Sequence, residues 1–108
     1  MKTSRMLLLL PVLLVGAVAQ QSADANWSKH CTTCHGTDGK GNTTMGKKLS
    51  IKDLTDPAFQ ASFTDEAAGK AIREGIKSPE GKTKMKPISG LSEEEITQLV
   101  ALVRRLKA

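Results

Sequence analysis

At 108 residues the chain is long enough for one small domain and too short for a second core. It has 16 basic and 11 acidic residues, a formal charge of +5, yet aromatics make up only 3% and no helical stretch carries a basic stripe, so nucleic-acid binding is a poor reading. Its two cysteines, Cys31 and Cys34, are three positions apart, so a disulfide between them would close almost no loop and add little stability.

The N-terminus reads as an export signal. Lys2 and Arg5 precede an apolar stretch from Met6 to Ala19, interrupted by Pro11 and Gly16 and ending in Ala17-Val18-Ala19. Cleavage is expected after Ala19, with Ala23-Asp24-Ala25 a weaker second site. The run is shorter than the ~20 residues a spanning helix needs, and Gln20-Gln21 end it abruptly, so no permanent membrane anchor is expected. The expectation is a signal peptide over residues 1–19 and one exported, periplasmic domain over residues 20–108. Without Lys2 and Arg5 that domain has 14 basic and 11 acidic residues, a formal charge of +3. A domain this small sits near the lower limit for a self-sufficient core. With no useful disulfide, the staple should be a cofactor.

Helix signals dominate the rest, and no convincing alternating strand run occurs. Residues 23–35 have helical character, with Trp27 and Cys31 on one face at i, i+4. Gly36, Gly39 and Gly41 mark a loop that reaches Gly46. A short helix is expected from Asp56-Pro57, capped by Asp56 with Pro57 at its first position. Thr64 caps a third helix whose apolar face is Ala68, Ala71 and Ile72, closed by Gly75. Residues 77–90, with Pro79, Gly81, Pro87 and Gly90, read as an extended loop. The last helix has Ser92 and Glu95 as a capping box, acidic residues in its first turn and Arg104, Arg105 and Lys107 in its last. Its face of Ile96, Leu99, Val100, Val103 and Leu106 needs a partner, and the first helix is the natural one.

Cys31-Thr32-Thr33-Cys34-His35 has the form of a c-type haem attachment site. Two thiols can add across the two vinyl groups of one porphyrin. The adjacent His35 is then held where its imidazole can ligate the iron, and its other nitrogen is expected to donate to a backbone carbonyl. Two rivals use the same cysteines. A structural zinc site needs four ligands, and only His30 is left to join them. A thiol–disulfide oxidoreductase comes with a βαβ pattern that is missing here. For the sixth iron position the chain after residue 19 offers Met45 and Met85. Met45 lies in the glycine-rich stretch just after His35, where packing or exposure is the better reading. Met85 lies in the loop before the last helix, which can cross the opposite face of the ring. His/Met ligation raises the potential of a haem.

These stretches together resemble the class I c-type cytochromes: Cys31-Thr-Thr-Cys34-His35-Gly36, Asp38-Gly-Lys-Gly41, Met85-Lys-Pro87, and Leu91-Ser-Glu-Glu-Glu-Ile96 running into Leu99-Val-Ala-Leu-Val-Arg104. The resemblance covers nearly all of residues 20–108, in the family's order. It implies an all-α, cytochrome c-like fold of three to five helices around one covalent haem c, with the N- and C-terminal helices crossing. It further implies thioethers at Cys31 and Cys34, His35 as proximal ligand and Met85 as distal ligand. Lys86 stands where many members have Pro directly after the distal Met, and Leu102 where many have an aromatic. The implied function is a one-electron carrier rather than an enzyme, and no catalytic acid or base stands out. Leu49, Leu54, Ile72, Ile76, Ile88, Leu91 and Leu99 are the expected haem wall. Lys77, Lys82, Lys84 and Lys86 surround Met85 and would favour redox partners with acidic docking surfaces. The alternatives are a haem sensor or small-ligand binder, in which Met85 leaves the iron free, and a dedicated subunit feeding electrons into a larger oxidoreductase.

Overall fold

Local capping explains most of the helix boundaries. The computed structural model describes residues 8, 9, 11 and 20–108; the export signal expected over residues 1–19 otherwise lies outside the described residues. Helix α1 (Ala23–His30) starts at Ser22, whose hydroxyl accepts from the Ala25 N–H, and α2 (Thr32–His35) follows after a bend at Cys31. Thr43 caps α3 (Thr44–Lys48), and Asp56 caps α4 (Pro57–Ala61) with Pro57 in its first turn. Thr64 caps α5 (Asp65–Glu74), and the capping box of Ser92 and Glu95 opens α6 (Glu93–Arg105). In each case a side-chain oxygen takes up an amide that the first turn leaves without a partner.

The fold is mostly helical, as expected, but richer than three to five helices: six helical segments and a small antiparallel sheet are present among the described residues. Three differences account for this. The stretch read as one helix over residues 23–35 divides at Cys31. The helix α3 was not expected, because Gly46 sits in its middle and no apolar period marks it. The stretch read as an extended loop over residues 77–90 contains β2 (Thr83–Met85), and β1 (Ile76–Lys77) runs into its start; the two pair Ile76 with Met85 and Lys77 with Thr83. Strands of two and three residues around Pro79 and Gly81 leave no alternation to read.

The core forms where α1 and α5 pack against α6. Trp27, Cys31, Leu54, Ile72, Ile96, Leu99, Val100 and Leu102 are buried together, with Val103 and Leu106 packed at their margin. Leu102, where many family members have an aromatic, is thus a core residue. A polar tie crosses the α1–α6 contact. The buried Asn26 side chain donates to Glu95 Oε2 at 2.8 Å, while the Ser92 N–H donates to Glu95 Oε1 at 3.1 Å. These donors, Asn26 foremost, hold the Glu95 carboxyl below the usual carboxylate range. Glu95 therefore caps its own helix and fixes the first helix against it.

Candidate functional site

The pentapeptide from Cys31 to His35 keeps a helical main chain. The Cys31 N–H donates to the Trp27 carbonyl, the His35 N–H to that of Cys31 and the Gly36 N–H to that of Thr32, each at 2.9 Å. The two sulfurs and the imidazole are thereby carried on little more than one turn of rigid backbone. Thr43 fastens that turn from below: its hydroxyl donates to the Cys34 carbonyl at 2.7 Å and accepts from the Gly46 N–H at 2.8 Å. Gly46 is a glycine of necessity. A Cβ there would stand 2.6 Å from the Cys34 carbonyl oxygen and collide with that of Gly41. The Gly41 N–H closes the turn onto the His35 carbonyl at 2.7 Å.

Above this base lies a cavity of about 1240 Å³. It exceeds the ~300–1,000 Å³ of ordinary small-molecule sites, as a broad, flat cofactor requires. Cys31, Cys34 and His35 line it, and so does Met85, half-buried at the end of β2. Leu49, Leu54, Ile72, Ile76, Ile88 and Leu99 contribute walls as expected; Leu91 packs against the core instead. His30 and Met45 also line the cavity, and Met45 is exposed.

The chemistry of the donor set fits a covalently bound haem. Burial pushes the Cys31 thiol up to about 11, with Cys34 adding to the effect. A thiol held neutral is a poor thiolate ligand and a poor redox nucleophile, whereas a thioether carries no charge to desolvate. Burial also lowers the titration of His35, which keeps the imidazole in the neutral form that binds metal. The His35 ring lies 5.8 Å from that of Trp27. Its Nδ1 is buried without a hydrogen-bond partner among the described residues, so the backbone acceptor expected from the sequence is not in reach. Among the described residues no cluster of three or more His, Cys, Asp or Glu side chains could hold a metal ion by themselves.

The charge around the cavity is one-sided. Lys77, Lys84 and Lys86 line it, and Lys48, Lys52 and Lys70 join them from the other walls, while no acidic residue does. Lys82, expected in this group, is exposed but does not line the cavity. The three lysines missed in the sequence are scattered over 23 positions, and only α3, the segment after it and α5 bring them together.

The family model described as cytochrome c oxidase, cbb3-type, subunit III matches residues 18–103. The chain belongs to this family of c-type cytochrome domains and is a class I monohaem cytochrome c. Its cofactor is a covalently bound haem c with iron. Among solved structures it is similar to the KustC0563 c-type cytochrome, with 35% identity and a TM-score of 0.69 over 82% of this chain and 100% of that one. It is likewise similar to a point mutant of Kustc0563, with 35% identity and a TM-score of 0.66 over 81% of this chain and 100% of that one. No curated protein matches. Proteins of this family serve haem-based electron transfer, work with redox partners and are typically exported. No helix among the described residues is long and apolar enough to cross a membrane.

Proposed function

We propose that this cytochrome is a one-electron carrier of an exported compartment, with its haem iron ligated by His35 and Met85 and its thioethers at Cys31 and Cys34. The observation that carries the reading is that Met85, 50 positions beyond His35, lines the same cavity as the pentapeptide and is half-buried there against the core, whereas Met45, which also lines it, is exposed. The haem supplies a metal centre whose oxidation state changes by one electron. The protein's part is to hold that centre rigid and largely out of water. With the His35 imidazole and the Met85 thioether both holding the iron, no position would be left open for a small molecule, which is where the carrier and sensor readings part. The thioether also favours the ferrous state and raises the potential.

The export signal of residues 1–19 belongs to this proposal. Cleavage after Ala19 leaves Ser22 in place to cap α1, whereas cleavage after Ala25 would remove the cap and the first turn. The exported protein should therefore have the mass of residues 20–108 plus one haem. Its ferric form should show the weak long-wavelength charge-transfer band of thioether–iron ligation. Met85→Ala should abolish that band and lower the reduction potential on the order of 0.1 V or more, a modest part of the ~0.8 V range that axial ligands span. Met45→Ala should do neither. A band that survives Met85→Ala would overturn the assignment, and a wild type that binds carbon monoxide readily would favour the sensor.

The six cavity-lining lysines favour partners with acidic docking faces. Charges arranged this way act on the encounter rate and are screened by salt over ~10 Å at 0.1 M. The electron-transfer rate to an acidic partner should fall as ionic strength rises, with a shallower slope in a Lys84→Gln, Lys86→Gln variant. A salt-independent rate would rule the steering out. A second reading, a dedicated subunit feeding electrons into a larger oxidoreductase, draws on the family's description as an oxidase subunit. Stoichiometric co-purification with such a complex would favour it over a freely diffusing carrier.

A further inference from the structure

Gly75 meets Met85 through the backbone alone. It ends α5 with φ +77°, a region that glycine enters freely and other residues enter at a cost. A Cβ built on Gly75 would lie 2.5 Å from the Met85 carbonyl oxygen and 2.9 Å from both the ring Cδ and the nitrogen of Pro87. Ordinary van der Waals contact for such an atom begins at 3.4 Å. Two further ties hold the same segment. Ile76, the next residue, pairs with Met85 across the sheet, and the Ile88 N–H donates to the Ile72 carbonyl at 2.9 Å. Residues 85–88 are thus strapped to the last turn of α5, and the missing side chain of Gly75 sets how closely the strap lies.

We infer that Gly75 is a positioning residue for the Met85 thioether: the absence of its Cβ lets the Met85 main chain approach α5 and so sets where the sulfur stands in the cavity. The inference rests on the reading of Met85 as iron ligand. The magnitudes favour it. A Cβ at Gly75 asks the Met85 carbonyl to retreat by nearly an ångström, whereas a metal–ligand bond tolerates only about ±0.2 Å. Pro87 adds stiffness, because its ring rests against Gly75 and its fixed φ resists the retreat. This gives Pro87 a role although Lys86 separates it from Met85.

The test compares alanine at three glycines in the full exported holoprotein. Gly81 and Gly90 have φ of +82° and +81°, yet a Cβ on either meets nothing within 4 Å. Gly81→Ala and Gly90→Ala therefore carry the backbone strain without the collision. All three variants should keep the covalent haem in a pyridine haemochrome assay. Only Gly75→Ala should lose most of the thioether–iron band, with its potential falling toward that of Met85→Ala. A Gly75→Ala protein with the wild-type band and potential overturns the inference, as does equal loss of the band in Gly81→Ala and Gly90→Ala. If Gly75→Ala yields no holoprotein, Pro87→Ala decides. Its band should fade on heating well before the helices unfold, and a band that lasts to global unfolding overturns the inference. A wild type without the band, or Met85→Ala with it, instead defeats the ligand assignment beneath, so the two failures are distinguishable.

Discussion

Replacing both Cys31 and Cys34 with alanine is expected to cut the yield of exported holoprotein at least tenfold and to leave a chain without a cooperative thermal transition. The cause is the cavity. Without the cofactor, the largely apolar walls of a cleft of about 1240 Å³ would face water, and apolar surface left in water contributes nothing to folding. A domain is held by only ~5–15 kcal/mol in all, and each large apolar side chain buried contributes ~1.5–3 kcal/mol, so a few wall residues left in water are enough to unfold it. The buried core is only eight apolar residues, and five of them, Trp27, Cys31, Leu54, Ile72 and Leu99, also line the cavity, so core and cofactor site are largely one. Binding free energy is folding free energy in such a chain. The single variants should differ. Cys31 is buried in the core cluster and Cys34 is only partly buried, so Cys31→Ala should cost more holoprotein than Cys34→Ala. Haemochrome quantitation and circular-dichroism melts of the three variants decide the matter. Wild-type yield and melting temperature in the double variant would sink the idea.

How much of this was legible in the sequence depends on how local the signal is. The attachment motif is five consecutive residues with fixed chemistry, so it could be read directly. The helix starts at Asp56, Thr64 and Ser92 could be read for the same reason, because a cap and the turn it serves lie within four positions. Met85 stood out as a candidate by its residue type and its place before the last helix, but the hairpin that carries it did not. That hairpin is held by its pairing and by the strap to α5 rather than by any alternation of its own. The helix α3 depends on Thr43, whose hydroxyl reaches back nine positions to the Cys34 carbonyl, and no period within α3 records such a tie. Lys48, Lys52 and Lys70 read as ordinary surface charges until the fold gathers them around one cavity. Asn26 and Glu95 show the same limit. Glu95 could be read as the capping-box partner of Ser92 and Asn26 as nothing in particular, and only the contact between α1 and α6 makes a buried pair of them.

Arg104 is the other residue whose weight appears only in three dimensions, and its loss should produce the largest drop in stability from any single surface-facing charge. The last turn of α6 presents it as a basic residue suited to the helix dipole. In the structure its guanidinium spans three segments. Nε donates to Asp65 Oδ1 at 2.7 Å, Nη1 to the Gln60 carbonyl and to Gln60 Oε1, and Nη2 to the Phe63 carbonyl at 2.8 Å. Its Cζ lies 4.3 Å from the centre of the Phe63 ring. Gln60 is itself buried, and its Nε2 donates to the Leu54 and Val103 carbonyls. One side chain therefore satisfies a carbonyl at the end of α4 and another just beyond it, and holds the cavity-lining Phe63 directly, and Leu54 through Gln60, against the last helix. The Asp65 pair adds little, because that carboxylate is two-thirds exposed. The half-buried carbonyl bonds carry the weight, at ~1.5–3 kcal/mol for each bond from a charged donor. Arg104→Ala should thus cost ~3 kcal/mol and lower the melting temperature of the ferric holoprotein by about 10–20 °C. Arg104→Lys should recover less than half, since a point charge cannot serve four acceptors on three residues at once. Arg73 is the control: it forms a bidentate pair with Glu93, but both partners are exposed, so Arg73→Ala should hardly move the transition. An Arg104→Ala protein melting within a degree or two of Arg73→Ala would refute the argument. The Met85 strap hangs from α5 and makes no bond to Arg104, so Arg104→Ala should keep the thioether–iron band at room temperature while melting early. Gly75→Ala should do the reverse, losing the band with a smaller change in melting temperature. Opposite signatures from two variants would separate what holds the domain together from what holds the ligand in place.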